Sequence, residues 1–416
     1  MKQGLIGSKL KQSYSKYIHE KINHLHYSLK EIKEDELKDL IEKKEYRFLN
    51  VTMPYKKEVL PFLDNKSPQV ISTHSCNLIV NAHGKLNGFN TDYFGFLALL
   101  KHYQVDIKKK KILVLGTGGS AYTIKEVLRR NGAGLVLMVT RDSQKTNRYV
   151  ITYEEAMKQK NVQLIVNCSP RDMYPEDQEP LIDIKSFPKL EGIVDIIYNP
   201  FRTHLVVNGL LNNIPSYGGL YMLTAQAIKS QELYYHQDYS DKYDKIYKLT
   251  RLKYVNIVLI GMPGAGKSTA GRRLAKILHK DFYDVDNEIK KALKKPINKI
   301  FEEDGEEVFR DTETEIIRKL SSLQGAVISL GGGAIKREEN MALAMRNSII
   351  ILLNRDIELI KANPNVVKTR PLISSQESID KLYQERKDKY LKYADIVINN
   401  NDSQGKTLNL IMRELL

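Results

Sequence analysis

Cysteine is nearly absent: the 416 residues contain two, Cys76 and Cys168. Two thiols cannot build a disulfide framework or a cysteine zinc cluster, which points to a reducing compartment. No stretch approaches the roughly 18 consecutive apolar residues of a membrane-spanning helix. The opening Met1-Lys-Gln-Gly-Leu-Ile-Gly7 lacks the apolar segment of a secretion signal. A cytoplasmic protein with no membrane partner is expected. Glycine and proline are both missing from residues 236–253, which mix tyrosine, lysine and aspartate without a clear apolar stripe. That excludes a very flexible tether; the stretch reads as a linker or as a solvated helix closing the domain before it.

What is present is ordinary for a soluble chain, with 42% hydrophobic and 28% charged residues. The length predicts two or three domains, each able to bury a core. A net charge of +15 admits nucleic acid or anionic lipid as a partner. Lysine is spread through the whole sequence, however. Its one dense run, Lys108-Lys-Lys-Lys111, stands at the entrance to a predicted strand, where it reads as solvated loop or as an anion contact. A positive field also suits small anionic substrates, and no nucleic-acid partner is expected. The oligomeric state is open, and a homodimer is compatible with the sequence.

The most specific stretch is Gly261-Met-Pro-Gly-Ala-Gly-Lys-Ser-Thr269. An apolar run, Val255-Asn-Ile-Val-Leu-Ile260, precedes it and a helical pattern over 270–278 follows, the context a phosphate-binding loop requires. Gly261, Gly264, Ala265 and Gly266 let backbone N–H groups turn inward against phosphate oxygens. The helix N-terminus at Lys267, Ser268 and Thr269 adds a positive partial charge. Lys267 is placed to reach the β- and γ-phosphates of ATP, and Ser268 to hold Mg²⁺. A domain beginning at residue 254 leaves roughly 250 residues before it that need a fold of their own.

Those residues read as a substrate half and a dinucleotide half. Ser13-Tyr-Ser15 offers two hydroxyls after a short strand signal, either ligand contacts or helix caps. In Asn50-Val-Thr-Met-Pro-Tyr-Lys56, the proline ends an extended run and leaves Lys56 just past it. Asn87-Gly-Phe-Asn-Thr-Asp92 reads as a turn before a helical pattern over 94–100. A lysine and an aspartate at two such ends can face each other and tune proton transfer to a reacting oxygen; each is otherwise a surface charge or a cap. Lys111-Ile-Leu-Val-Leu115 reads as a buried parallel strand. It runs into Gly116-Thr-Gly-Gly-Ser-Ala121 and a helical run over 122–130, the pyrophosphate cradle of a Rossmann unit. Gly134-Leu-Val-Leu-Met-Val139 is the second strand. After it, Arg141 and Lys145 favour the 2′-phosphate of NADP, while Asp142 is the residue type that reads the NAD ribose. Cys168 reads as a small buried residue.

In order and spacing, Asn50-Val-Thr-Met-Pro-Tyr-Lys56, Asn77, Gly88-Phe-Asn-Thr-Asp92, Asp195-Ile-Ile-Tyr-Asn-Pro200 and Gly218-Gly-Leu-Tyr-Met-Leu-Thr-Ala-Gln226 resemble the shikimate dehydrogenase family, over about residues 3–235. The resemblance implies Ser13 and Ser15 on the substrate carboxylate. It puts Thr52, Asn77 and Asp92 on ring hydroxyls, and Tyr198 and Gln226 on the substrate. Lys56 with Asp92 would be the catalytic pair. Gly116, Gly118, Gly119 and Ser120 would bind NADP(H), with Gly219 and Met222 along the nicotinamide; Met222 also reads as core packing.

Behind the phosphate loop, Asp284 and Asp286 bracket one residue, so a strand would point both to one side. With Ile300-Phe-Glu-Glu-Asp-Gly-Glu-Glu-Val-Phe-Arg310, Val327-Ile-Ser-Leu-Gly-Gly-Gly333, Thr369-Arg-Pro371 and Glu385-Arg-Lys-Asp-Lys-Tyr390, the stretch over about 254–400 resembles shikimate kinase. The resemblance implies Asp286, Arg310, Gly332, Gly333 and Arg386 on shikimate, Arg370 in a lid over the transferred phosphoryl group, and Ser268 with Asp284 on Mg²⁺.

The expected architecture is α/β throughout. A substrate lobe (1–110, closed by a helix near 219–235) and a Rossmann NADP lobe (111–218) form a two-lobed dehydrogenase. A linker (236–253) leads to a P-loop kinase domain with a parallel sheet (254–416). The expected function is reduction of 3-dehydroshikimate and then phosphorylation of shikimate. The alternative is another NADP dehydrogenase joined to a different small P-loop kinase, such as one resembling gluconate kinase.

Overall fold

The computed structural model describes residues 2–175, 178–362 and 376–416. The chain forms two compact units, Met1–Thr250 and Arg251–Leu416.

In the first unit the opening lobe is a six-stranded mixed sheet. Its order is Ser28–Glu31, Lys2–Gly7, Tyr46–Val51, Leu78–Ala82, Lys85–Phe89, Asn65–Lys66. The first three strands run parallel, while Leu78–Ala82 pairs antiparallel to both neighbours. Residues 87–89, read as a turn, are thus the end of a strand. Gly88 fits there because a side chain would lie 2.4 Å from Leu63 Cδ1 and 3.3 Å from Cys76 Sγ, a close approach that explains glycine inside a strand.

The second lobe is an all-parallel six-stranded sheet in the order Ser216–Tyr217, Gly192–Asp195, Leu164–Asn167, Lys111–Leu115, Leu135–Thr140, Val150–Thr152. Ile112, Leu113, Val114 and Leu115 are all buried, as a strand covered on both faces demands. Strand order reverses between Lys111–Leu115 and Leu164–Asn167, so their following loops diverge and open a crevice at the carboxyl ends. Helix Leu220–Tyr235 returns to the first lobe and lies against helix Thr91–His102. The contact is close at Gly95, where a Cβ would stand 2.8 Å from Met222 O and 2.9 Å from Gln226 Cβ.

Residues 236–253 are not solvated throughout. Helix Tyr243–Tyr254 buries Ile246, Tyr247 and Thr250. Tyrosines take the place of an aliphatic stripe: Tyr103 and Tyr247 share a hydroxyl contact of 3.0 Å, and Tyr221 Oη donates to Asp244 Oδ1 at 3.2 Å. Of the lysine run, Lys110 pairs with Glu191 at 2.7 Å, and Lys111 donates to Gln159 at 2.7 Å and Asn161 at 2.8 Å.

The second unit is a five-stranded parallel sheet ordered Phe282–Asp284, Val327–Ser329, Asn256–Ile260, Ser348–Asn354, Ile396–Asn399. The phosphate loop leaves the central strand, and the loops after the other strands gather at the same carboxyl end. Among the described residues, no helix is long and apolar enough to cross a membrane.

Candidate active sites

In the first unit, Lys56 and Asp92 do face each other. Lys56 Nζ lies 2.6 Å from Asp92 Oδ2, with side chains 13% and 11% exposed. Asp92 is the second residue of helix Thr91–His102, delivered there by the strand Lys85–Phe89. Asn77, just before the neighbouring strand, donates from Nδ2 to Asp92 Oδ1 at 2.9 Å and accepts from Thr91 N–H at 2.6 Å. Two donors therefore converge on the two oxygens of one carboxylate, which fixes its rotamer. Behind them, Thr91 Oγ1 reaches Gln226 Oε1 at 3.3 Å and Ser230 Oγ at 3.2 Å, and Asn50 Nδ2 donates to Ser230 Oγ at 3.0 Å. Sequence reading assigns no role to Asn50 and Thr91, although both lie inside motifs, nor to Ser230, which lies in none: a buried polar partner of this kind has no spacing signature of its own.

This pair stands in a cavity of 690 Å³ lined also by Ser13, Ser15, Thr52, Asn77, Tyr198, Met222 and Gln226. Tyr198 stands among these residues, and burial pushes its phenol up to about 12, a rise that the Ser13 hydroxyl opposes. Ser13 Oγ accepts from Ser15 N–H at 3.3 Å, so it serves the helix start while lining the cavity. Met222 is buried, as core packing expects, and lines the cavity as well. Gly219 has a packing reason of its own: a Cβ there would meet Ile196 O at 2.1 Å.

A second cavity, of 480 Å³, follows the glycine turn past Gly116, Gly118, Gly119 and Ser120 to Arg141, Asp142 and Lys145. Gly116 has φ +114°, which favours glycine, and no atom lies within 4 Å of a Cβ built at Gly118. The two cavities share Lys56, Ser120 and Cys168. Lys56 Nζ is 3.4 Å from Ser120 Oγ, so the lysine stands where the two spaces meet. Cys168 is half-buried on the cavity walls rather than fully buried; desolvation there, with Asp195 nearby, pushes its thiol above the usual range, and a neutral thiol is no nucleophile. Asp142 is occupied: it accepts from Gln144 N–H at 3.1 Å and pairs with Lys145 at 3.1 Å. Arg141 is exposed on the cavity wall.

In the second unit, Gly261, Gly264 and Gly266 take φ values of +141°, +81° and +88°, in the region glycine favours. Ala265 is buried and Thr269 exposed. Lys267 is buried and its Nζ donates to the carbonyls of Gly261 at 2.9 Å and Met262 at 3.1 Å. Ser268 Oγ donates to Asp284 Oδ2 at 2.5 Å. Asp284 ends its strand and caps helix Val285–Leu293, accepting from Asn287 N–H at 3.2 Å. Asp286 is therefore in the first helical turn and not on the strand. The two carboxylates still line one cavity of 290 Å³, but a helix start rather than strand alternation brings them together.

The same cavity holds Arg310, Glu313, Gly332, Gly333 and Arg386. Arg310 Nη1 donates to Glu313 Oε2 at 2.7 Å. Burial raises the Glu313 carboxyl above its usual range and Arg310 opposes the rise. Gly333 makes room for the guanidinium, since a Cβ would lie 2.6 Å from Arg310 Nη2. Arg386 is 2% exposed and donates from Nη1 to Gly332 O at 2.9 Å, while its Nε and Nη2 are buried without an acceptor among the described residues. Buried guanidinium donors of that kind call for an anion. Glu313 and Tyr390, which donates to Gly332 O at 2.6 Å, orient these groups. Arg370 lies outside the described residues.

Known proteins resemble both units. The family model for shikimate kinase matches residues 263–416, and that for the shikimate dehydrogenase substrate binding domain matches residues 5–79. A shikimate dehydrogenase (NADP(+)) of Clostridium perfringens (strain SM101 / Type A) is 32% identical over 246 residues, 56% of this chain and 91% of that protein. A shikimate kinase of Clostridium beijerinckii is 39% identical over 160 residues, 38% of this chain and 94% of that protein. The crystal structure of shikimate dehydrogenase 1 from Peptoclostridium difficile superposes with a TM-score of 0.56 at 30% identity, covering 60% of this chain and 97% of that one. Each relative is matched along nearly its whole length, and the chain therefore belongs to both the shikimate dehydrogenase and the shikimate kinase families, joined in one polypeptide.

Proposed function

We propose that the protein catalyses two consecutive steps: NADPH-dependent reduction of 3-dehydroshikimate to shikimate, and ATP-dependent phosphorylation of shikimate to shikimate 3-phosphate. The observation that carries the first step is the position of Lys56 at the junction of the two cavities. NADPH along the glycine turn supplies the hydride to the ring carbonyl carbon. Lys56 Nζ, held by Asp92, delivers a proton to the carbonyl oxygen. Ser13, Ser15 and Tyr198 hold the carboxylate end, and Thr52, Asn77 and Gln226 hold the ring.

For the second step, Arg310 and Arg386 grip the carboxylate, with Gly332 and Gly333 beneath the ring. Asp286 orients the attacking hydroxyl and takes its proton. Lys267 and the loop N–H groups neutralise the phosphates, and alignment with charge neutralisation is most of what phosphoryl transfer needs. Ser268 and Asp284 fit Mg²⁺: one hydroxyl and one carboxylate beside the phosphate site suffice for an ion that keeps most of its waters. Mg²⁺ there would neutralise charge on the β- and γ-phosphate oxygens. Arg370 is assigned to steady the transferred group.

The test is a single coupled assay. With 3-dehydroshikimate, NADPH, ATP and Mg²⁺, the chain is expected to form shikimate 3-phosphate with one NADPH oxidised and one ADP released per product, read by mass spectrometry. NADPH oxidation without ADP release would remove the second assignment, and the converse with added shikimate would remove the first.

Coenzyme choice yields a separate prediction. Asp142 already neutralises Lys145, which leaves Arg141 as the cation for a 2′-phosphate. Arg141→Ala is expected to raise KM for NADPH about tenfold, the size of one charge-assisted contact, with KM for NADH little changed. Equal weakening of both coenzymes would instead make Asp142 the ribose-reading group.

A further inference from the structure

Asn400 is far from the phosphate loop in sequence yet touches it. It follows strand Ile396–Asn399 and is 4% exposed. Its backbone N–H donates to Asn354 O at 2.8 Å, which ties it to the end of the adjacent strand. Its Nδ2 donates to Ala265 O at 2.5 Å, and its Oδ1 accepts from Thr407 Oγ1 at 2.5 Å in helix Gln404–Leu415. The orientation of the amide follows from chemistry. A carbonyl only accepts, so the nitrogen must face Ala265, and the oxygen is left for the threonine hydroxyl.

The consequence concerns the next N–H group. In a planar trans peptide, C=O and N–H point to opposite sides. Fixing the Ala265 carbonyl outward therefore fixes the Gly266 N–H inward, toward the concave side of the loop. Gly266 has φ +88° and a Cβ there would lie 3.0 Å from Asn400 Nδ2. Glycine peptides of this kind flip readily, because glycine populates both signs of φ. We propose that Asn400, oriented by Thr407, is a positioning residue that locks the Ala265–Gly266 peptide in its phosphate-binding orientation and so sets nucleotide affinity at the kinase site. This rests on the kinase reading above.

The test is Asn400→Asp, which keeps size but sets a carboxylate oxygen against the Ala265 carbonyl. The expected result is a rise of about tenfold in KM for ATP, the size of one lost buried hydrogen bond. An equal rise in Kd for ADP by calorimetry is expected, with KM for shikimate unchanged. Thr407→Val is expected to move both constants the same way, and Thr407→Ser, which keeps the hydroxyl, to restore them. Reduction of 3-dehydroshikimate by the same preparations checks that the chain is intact. ADP affinity and KM for ATP within twofold of the parent, or a fall in kcat with both unchanged, would overturn the inference, the latter marking a loss of folded kinase only. Absence of shikimate-dependent ADP release from the parent protein would instead remove the kinase reading, while the effect on ADP affinity would still stand or fall by calorimetry.

Discussion

Lys56→Ala is expected to lower kcat for 3-dehydroshikimate reduction by about 10³-fold, the usual contribution of a positioned acid, and to leave phosphorylation of added shikimate untouched. The ammonium stands 2.6 Å from Asp92 and 3.4 Å from Ser120, at the place where the two cavities join. Nothing else among the described residues lining both cavities is a cation: the shared residues include Met53, Ser120, Cys168, Ser169 and Pro170. Asp92→Asn is expected to be nearly as damaging, for a geometric reason. Asn77 Nδ2 and Lys56 Nζ approach the carboxylate from its two oxygens, so an amide nitrogen in either position confronts a donor. Steady-state rates for both half-reactions on the same preparation decide the matter. Reduction at the parental rate in Lys56→Ala would eliminate the assigned acid, and loss of both activities would mean the substitution acts on the fold.

Much of the fold was legible in the chain, and the reason is physical. Strands buried on both faces, such as Lys111–Leu115 and Asn256–Ile260, are written as unbroken apolar runs, and each runs into a glycine turn whose backbone conformation few other residues tolerate. Local order plus local chemistry identifies such units. The failures share a cause as well: the deciding partner was distant in sequence. Gly88 reads as a turn until Leu63 and Cys76 occupy the space its side chain would need. Asp284 and Asp286 read as one strand face, but Asp284 is a helix cap, so a change of secondary structure does what alternation was expected to do. Residues 236–253 have no clear apolar stripe, and their helix is held by Tyr247 against His102, Tyr103 and Tyr221 and by Asp244 against Tyr221. Asn50 and Thr91 lie inside motifs that assign them no role, and Asn400 lies in none. Their importance comes from burial and from hydrogen bonds to groups many residues away.

The second large effect is at the other end of the chain. Lys267→Ala is expected to reduce kcat for shikimate phosphorylation by about 10³-fold, in the range lost when a preorganised charge is removed from a phosphoryl-transfer site, while 3-dehydroshikimate reduction stays at the parental rate. Lys267 is 6% exposed, and its Nζ rests on the carbonyls of Gly261 and Met262 at the start of the loop. Those two bonds park the ammonium beside the phosphate-binding turn, so little side-chain entropy remains to be lost when phosphate arrives. Alanine takes a donor from both carbonyls, leaving Met262 O with the Ala265 N–H at 3.1 Å, and takes from the phosphates their nearest cation. Lys267→Arg is not expected to rescue, because a planar five-donor fork differs in shape from a compact ammonium in a buried site. Thermal unfolding followed with and without ADP separates binding from chemistry: the parent should gain stability from the nucleotide and Lys267→Ala should gain less. Kinase turnover within tenfold of the parent in Lys267→Ala would mean that residues 261–269 do not form the working phosphate site.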